Sequence, residues 1–299
     1  MSAVCGYANV SGLYYEIVGT RGHANRYLFV HGGGATGACF RATPDGRPGW
    51  ADLLAAEGAE CWVTDWPGCG RSGGADPLAL RYEDIVAGYV ELLEGTIRES
   101  VVLVCHSMGG AIAWKLAERV PTLVKQIVAL AASHPGNGAS HARVIEDDGT
   151  TVRAVFEASG VEFRVRRDRL YHYDDGYVLE QGIAGSTRFP REYLAAFRAG
   201  LCGLPPLVLL QRLGLDGGLP WVESTDSFDG LPVRLVAGPE DPAHTREIEL
   251  ETAALLTSFG AHVETVFLDE AGVTGNGHFF FLEENSDELL DLALGERRS

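Results

Sequence analysis

Positive charge is scarce in this sequence, which contains 24 Lys and Arg residues against 41 Asp and Glu residues. The formal net charge is −17 at pH 7. A surface that binds nucleic acid or an anionic membrane needs clustered cations, so the composition disfavours both kinds of partner. We therefore expect a small-molecule partner, and we interpret the acidic surface as an aid to solubility.

Paired cysteines and long apolar runs are also missing. None of the six cysteines stands in a C-x-x-C pair or at another spacing typical of metal ligands. No apolar stretch approaches the roughly 20 residues of a membrane helix, and the N-terminus has no basic region followed by an apolar run, as a signal peptide would. These absences predict a reducing, cytoplasmic setting.

Strand-like and helix-like segments alternate along most of the chain. Its 299 residues, 46% of them hydrophobic, fit one α/β domain with an insertion or two small domains. After an opening hairpin over 7–18, strands are predicted at 26–30, 60–64, 101–104, 125–132, 231–238 and 262–268, and helices at 50–57, 82–98, 111–119, 245–259 and 287–294. This pattern predicts an α/β fold with a mainly parallel sheet and helices on both faces.

The alternation breaks between residues 133 and 230, where glycine, proline and charge become frequent. Residues 1–132 and 231–299 are therefore predicted to form the core, and 133–230 a cap inserted over the carboxyl edge of the sheet, where such folds bind ligands. The cap contains a basic cluster, which we interpret as a solvated face rather than a substrate site; its members are Arg164, Arg166, Arg167 and Arg169.

The predicted strand 101–104 runs into Cys105-His106-Ser107-Met108-Gly109, followed by a helix. Small-x-Ser-x-Gly between a strand and a helix is typical of a nucleophile elbow, with cysteine here at the first small position. Such a turn lifts the serine hydroxyl clear of the sheet, and the helix N-terminus points amide groups at an anion formed beside it. Ser107 is the predicted nucleophile.

A serine nucleophile needs a base and an acid that orients the base. His278 is the predicted base, because it follows glycines in the loop between the last strand and the last helix. Asp241 is the predicted acid, since it lies just past strand 231–238 at the same edge. The carboxylates weighed against it are Glu240, Asp269 and Glu270.

The segment His31-Gly32-Gly33-Gly34 follows another strand and matches the HGGG-type motif that supplies one oxyanion-hole donor. The amides of Gly33 and Met108 are the predicted donors, and glycine allows the backbone to approach a substrate closely. His31 and His106 are interpreted as structural.

These motifs resemble the α/β-hydrolase superfamily over nearly the whole chain, and more closely the small bacterial branch called esterase-713-like. The closer resemblance rests on His31-Gly32-Gly33 with Thr36-Gly37, Thr43-Pro44-Asp45-Gly46-Arg47-Pro48-Gly49-Trp50, Asp65-Trp66-Pro67-Gly68-Cys69-Gly70-Arg71-Ser72, Cys105-His106-Ser107 and Gly275-Asn276-Gly277-His278. The resemblance implies an α/β-hydrolase fold, a serine esterase-like site without metal or cofactor, and a homodimer. It implies no particular substrate.

One position departs from that branch, in which the acid can be a Glu at the end of the strand after the elbow helix. The matching residue here is Ala131, which offers no oxygen. Either Asp241 supplies the acid, or the chain has a weakened site and another role.

The sequence therefore predicts a serine hydrolase that cleaves a carboxylic ester, lactone or thioester through an acyl-enzyme on Ser107. Acyl transfer, lactonisation or rearrangement in a small-molecule pathway would use the same site. The remaining alternative is a binding protein rather than an active enzyme, with the hydrolase fold and a catalytically weakened site.

Overall fold

The computed structural model describes residues 4–139, 142–157, 159–183 and 185–295. Its strands are β1 Val4–Tyr7, β2 Tyr14–Gly19, β3 Arg26–Val30, β4 Glu60–Thr64, β5 Val101–His106, β6 Val124–Leu130, β7 Ala142–Asp147, β8 Thr151–Phe156, β9 Val161–Arg166, β10 Pro232–Ala237 and β11 His262–Phe267. Eight of them form one sheet in the order β1-β2-β4-β3-β5-β6-β10-β11. Only the pairings of β1 with β2 and of β2 with β4 are antiparallel in that sheet, so the predicted mainly parallel sheet is confirmed.

Helices cover both faces of this sheet. The core helices are α1 Trp50–Ala56, α2 Tyr82–Glu91, α3 Gly109–Arg119, α7 Arg246–Ser258 and α8 Ser286–Leu294, and the segment between β6 and β10 adds α4 Asp175–Tyr177, α5 Leu194–Ala199 and α6 Pro206–Arg212. Alternate residues of β5 point to opposite faces, so Leu103 packs with α2 and α3 while Val104 packs with α1 and α8. The central strands are buried on both sides, which is why they are continuous apolar runs in the sequence.

Several boundaries differ from the prediction, and two of these differences have a clear structural reason. The helix expected over 82–98 is regular only to Glu91 and continues over Leu92–Ile97 in wider turns, ending where Arg98 adopts a left-handed φ of 59°. Strand β5 extends to His106, because backbone pairing with β6 continues through Leu130. Ser107 therefore follows the sheet directly.

The segment between β6 and β10 contains a small antiparallel sheet, in the order β7-β8-β9, and helices α4 to α6. The predicted basic cluster is solvated, as expected. Arg166 pairs with Asp168 and Arg167 with Asp147 on the outer side of this sheet. Its other face carries buried apolar residues, which β8 and β9 provide at alternate positions: Val152, Ala154, Phe156, Phe163 and Val165. The role of residues 133–230 as a cap remains a prediction.

No helix among the described residues is both long and apolar enough to span a membrane.

Candidate active site

Ser107 occupies a sharp turn between β5 and α3, and its backbone is left-handed with a φ of 51°. The turn is tightly packed: a Cβ at Gly109 would lie 2.7 Å from Val30 O, and one at Gly110 would lie 2.6 Å from Ser133 O. The Ser133 N–H also donates to Ser107 O at 2.8 Å. A strained serine persists only where its surroundings fix it, and here the two glycines let the strand and helix close around it.

His278 lies between Ser107 and Asp241. Its Nε2 is 3.1 Å from Ser107 Oγ, and its Nδ1 is 2.6 Å from Asp241 Oδ2. With the ring proton on Nδ1, the imidazole donates to the carboxylate and leaves Nε2 to accept the serine proton. The structure thus brings together three side chains that are far apart in the sequence.

Asp241 is buried at the end of β10. Its Oδ1 accepts the N–H groups of Ala243, at 2.9 Å, and of His244, at 3.2 Å. Burial alone would raise the pKa of Asp241, but His278, His244 and the amide of Ala243 outweigh burial and hold the pKa below its ordinary value. The carboxylate is therefore ionised at neutral pH, despite its burial.

The other carboxylates weighed for this position lie elsewhere. Glu240 directly precedes Asp241 and is exposed, as expected for a side chain on the side opposite to Asp241. Asp269 and Glu270 are paired with Arg246 at the surface. Ala131 is buried after β6 with a φ of 43°, and its N–H donates to Val236 O at 2.8 Å.

A buried polar network supports the loop that carries His278. Glu283 accepts the Gly277 N–H at 3.0 Å and the Asn276 side-chain amide at 2.6 Å, and Asn276 also donates to Asn285 at 2.8 Å. Burial raises the pKa of Glu283 to about 7, against the opposing effect of these donors. The backbone next to His278 is therefore held by side chains that follow it in the sequence.

The segment 43–50 contacts the same region. Arg47 donates to Glu283 O at 2.8 Å, and the Trp50 indole N–H donates to Ser286 O at 2.8 Å. This is a physical function for the specific Thr-Pro-Asp-Gly-Arg-x-Gly-Trp string, because it anchors the chain just beyond the base. Sequence spacing alone did not indicate that contact.

The predicted oxyanion donors are the amides of Gly33 and Met108. Neither amide donates to a carbonyl or a side chain among the described residues. Both residues line the space around Ser107, and a Cβ at Gly33 would collide with Met108 Sδ. A side chain at position 33 would therefore require the Met108 side chain to move.

His31 and His106 are buried and structural, as expected. His31 Nδ1 donates to Gly32 O at 2.8 Å, and Nε2 accepts the Trp66 N–H at 3.0 Å. Burial lowers the pKa of His31 to about 4, so its ring is neutral. His106 Nε2 lies 3.2 Å from His278 O, and its ring packs 4.6 Å from that of His278.

A second imidazole–carboxyl pair lies beside the first and was missed by sequence reasoning. His244 Nδ1 is 2.9 Å from Glu249 Oε1, and the His244 ring stacks on that of His278 at 5.4 Å. Burial lowers the pKa of His244 to about 3 and raises the pKa of Glu249 well above its ordinary value. The position of His244, three residues past Asp241 at the same sheet edge, was the signal that could have indicated it.

The cleft at Ser107 has two branches, and the rings of Tyr173 and Tyr177, which stack at 4.2 Å, line both of them. The guanidinium branch, of about 510 Å³ including its mouth, is lined by Phe156, Phe163, Leu209, Arg212, Leu213 and His244. The apolar branch, of about 340 Å³, is lined by Gly33, Val178, Phe197, Leu201 and Phe279. Ser107, His278 and both tyrosines line the two branches together.

In the described part of the chain, no group of three or more His, Cys, Asp or Glu side chains is arranged to hold a metal ion.

Comparison with known protein families decides the class. Residues 27–292 match the family model described as "Alpha/beta hydrolase family". The chain belongs to this family. As an alpha/beta hydrolase it is a hydrolytic enzyme, and the predicted superfamily is confirmed.

Individual relatives of this alpha/beta hydrolase are distant. A probable secreted lipase, phiG, from a fungal species (strain ATCC 74256) is 24% identical over 89% of this chain and 80% of its own. A methylesterase from Arabidopsis has a structure with a TM-score of 0.60 at 16% identity, over 91% of this chain and 98% of its own. A serine hydrolase involved in carbazole degradation has a TM-score of 0.62 at 15% identity, over 98% of both chains. Such structural likeness shows the fold alone.

Proposed function

We propose that this alpha/beta hydrolase cleaves a carboxylic ester, lactone or thioester of a small organic substrate through an acyl-enzyme on Ser107. The observation that carries the proposal is the unbroken hydrogen-bonded chain from Ser107 Oγ through His278 to Asp241. Acyl transfer by serine requires a nucleophile, a base and an orienting acid in this order.

In the first step, Ser107 Oγ attacks the carbonyl carbon and its proton passes to His278 Nε2. Asp241 stabilises the imidazolium, and the amides of Gly33 and Met108 bind the oxyanion. Collapse of the tetrahedral intermediate breaks the carbon–oxygen or carbon–sulfur bond, and His278 protonates the leaving group. Water then attacks the acyl-enzyme with the same proton transfers and releases the acid and free Ser107.

The printed names of relatives are consistent with ester chemistry. The matched proteins include a probable secreted lipase and a methylesterase, and a thioesterase domain from the curacin biosynthetic pathway has a TM-score of 0.60 at 17% identity. Their low identity gives no substrate for this chain. The ester class therefore rests mainly on the geometry at Ser107.

Acyl transfer, lactonisation or rearrangement is the second candidate, because an enclosing cap would favour an acceptor other than water. We propose that residues 133–230 act as that cap, supported by the contribution of Tyr173, Tyr177 and Arg212 to the cleft. A weakened binding protein is the third candidate. The hydrogen bond between His278 and Asp241 disfavours this candidate, because Asp241 supplies the carboxylate oxygen that Ala131 cannot offer.

A panel of p-nitrophenyl esters and thioesters tests the proposal. We expect a burst of p-nitrophenol, an acylated Ser107 peptide by mass spectrometry, and neither in Ser107→Ala. Products formed with and without an added alcohol then separate hydrolysis from acyl transfer. Turnover without acylation of Ser107 would contradict the proposal, and the absence of both would favour the binding protein.

The esterase-713-like branch, the homodimer and the cytoplasmic setting are also part of the proposal. The branch is supported by the contacts of the segment 43–50 with the His278 loop. Light scattering coupled to size exclusion would measure the oligomeric state, and cell fractionation would measure the location.

A further inference from the structure

Arg212, the last residue of α6, brings an unpaired cation into the guanidinium branch of the cleft. Its Nη1 is buried and has no hydrogen-bond partner, and its Cζ lies 4.7 Å from the centroid of the Phe156 ring. The same branch is lined by Ser107 and His278. A guanidinium with one nitrogen that lacks an acceptor therefore lines the same cleft as the predicted nucleophile and base.

The groups around Arg212 do not neutralise it. Burial lowers the pKa of Arg212, and the titratable neighbours that oppose this effect are the phenols of Tyr82, Tyr177 and Tyr173, with no carboxylate among them. The hydroxyl of Tyr82 is also buried without a partner. A guanidinium keeps its proton at neutral pH, so Arg212 brings a positive charge to the lining of this branch.

Other arginines of the same segment show the contrast. Arg153 pairs with Glu162 at 2.7 Å, Arg166 with Asp168, and Arg167 with Asp147, and all three are at the surface. Leaving a buried charge unpaired costs several kcal/mol, so a protein that retains one has a use for it. The planar guanidinium matches a carboxylate, which it can bind through two parallel hydrogen bonds.

We propose that the substrate carries an ionised carboxylate in addition to the scissile carbonyl, and that Arg212 binds it. The substrate class is then a half-ester of a dicarboxylic acid, or an ester whose alcohol part bears the carboxylate. The inference rests on the proposed function, because it places the second group in the cleft at Ser107. Cation–π contact with Phe156 holds the guanidinium in position when the cleft is empty.

Two matched pairs of esters test this inference and distinguish the acyl side from the alcohol side. The first pair is p-nitrophenyl hydrogen glutarate and its methyl ester. The second is 4-carboxyphenyl butyrate and its methyl ester. For one pair we expect the carboxylate to raise kcat/KM relative to the capped ester by about tenfold to a hundredfold, the size of a hydrogen bond to a charged group.

Variants attribute the preference to the guanidinium. In Arg212→Gln the ratio of kcat/KM within that pair should fall to near one, while Arg212→Lys should retain part of it. Arg167→Gln is the matched control, since it removes a cap arginine that is paired at the surface, and its ratio should equal that of the native enzyme. Equal ratios in the native enzyme and Arg212→Gln for both pairs would overturn the inference.

A binding measurement separates this inference from the proposed function. Ser107→Ala should bind monomethyl glutarate in a calorimeter, and the double variant with Arg212→Gln should bind it at least tenfold more weakly. If Ser107→Ala bound monomethyl glutarate in a way that depended on Arg212, but the native protein cleaved no ester, the hydrolase mechanism would be refuted and the anion site supported. If the native protein cleaved esters without any dependence on Arg212, the hydrolase mechanism would be supported and the anion site refuted.

Discussion

Two imidazole–carboxyl pairs stack against each other at the carboxyl edge of the sheet, and only one of them reaches the serine. His278 joins Asp241 to Ser107, whereas His244 joins Glu249 and contacts no nucleophile. The rings are 5.4 Å apart, and both carboxyl groups are buried. Burial alone would therefore predict the same protonation state for both carboxyl groups.

The difference between the two carboxyl groups comes mainly from His278, which interacts with Asp241 electrostatically and through a hydrogen bond of 2.6 Å. Asp241 receives two backbone N–H groups in addition to His278, and its pKa is lowered. Glu249 has an Oε2 without any partner, and its pKa is raised. The electrostatic interaction and hydrogen bond with His278, together with His244 and the Ala243 amide, thus keep Asp241 ionised and able to stabilise an imidazolium, while burial favours the neutral form of Glu249, whose carboxyl holds His244 in place.

The largest expected effect follows from removing the imidazole of His278, and the His244 imidazole provides the comparison. His278→Ala should lower kcat by about a millionfold, the loss seen when the base of such a site is deleted. His244→Phe keeps a stacked ring and should lower kcat by less than about tenfold, the scale of one aromatic contact. Steady-state turnover of one ester by both variants measures the comparison. A His244→Phe loss that approached that of His278→Ala would give both rings the same role.

Neutralising Asp241 should lower kcat by several orders of magnitude more than neutralising Glu249. Asp241→Asn removes the charge that stabilises the imidazolium and should lower kcat by up to about ten-thousandfold. In Glu249→Gln a neutral amide replaces a carboxyl whose neutral form burial favours, so kcat should change by less than about tenfold. If Asp241→Asn kept a near-native rate, the acid assignment would be refuted and a Ser–His dyad favoured.

The oxyanion loop gives the next largest effect. Gly33→Pro removes the proposed donor and should lower kcat by about a hundredfold to a thousandfold. Because a Cβ at this position would collide with Met108 Sδ, proline also disturbs packing. Gly33→Ala is the matched control, since it adds the Cβ and keeps the N–H. Equal losses in the folded alanine and proline variants would contradict an oxyanion role.

The smallest effect concerns a third buried carboxyl, that of Glu283. Its pKa is about 7 in the folded protein and near 4.5 when exposed, so the folded state holds a proton that the unfolded state has released. The free energy of unfolding should therefore fall as the pH rises from about 4.5 to 7, by up to about 3 kcal/mol. Glu283→Gln should remove this decline in urea unfolding at pH 5 and pH 8. If the unfolding free energy of Glu283→Gln differed between pH 5 and pH 8 as much as that of the native protein, Glu283 would not be the cause of the decline.

Much of this architecture was predictable because the parallel strands are buried on both faces. Their apolar runs located the predicted strands to within two residues. Ser107, His278 and Asp241 were predictable as members of motifs or strand ends, since those positions meet at one edge of a parallel sheet. The distance between Asp241 and His278 required the structure.

The second pair and the guanidinium branch were not predictable by the same means. Glu249 lies on a helix with ordinary composition, and its contact with His244 depends on how α7 packs. Arg212 belongs to a segment without regular periodicity, where charge in the sequence does not reveal whether a partner is present. Tertiary packing decides whether such a charged side chain has a partner, and the local sequence pattern carries little information about that packing.

The central claim is that Ser107 is activated by the pair that contains Asp241, and active-site labelling tests it most directly. A fluorophosphonate should modify one residue per chain, identified by peptide mass spectrometry as Ser107, at a rate that falls sharply in Asp241→Asn and little in Glu249→Gln. Ser107→Ala should take up no label. Labelling that persists in Ser107→Ala, or a native protein that takes up none, would contradict the account.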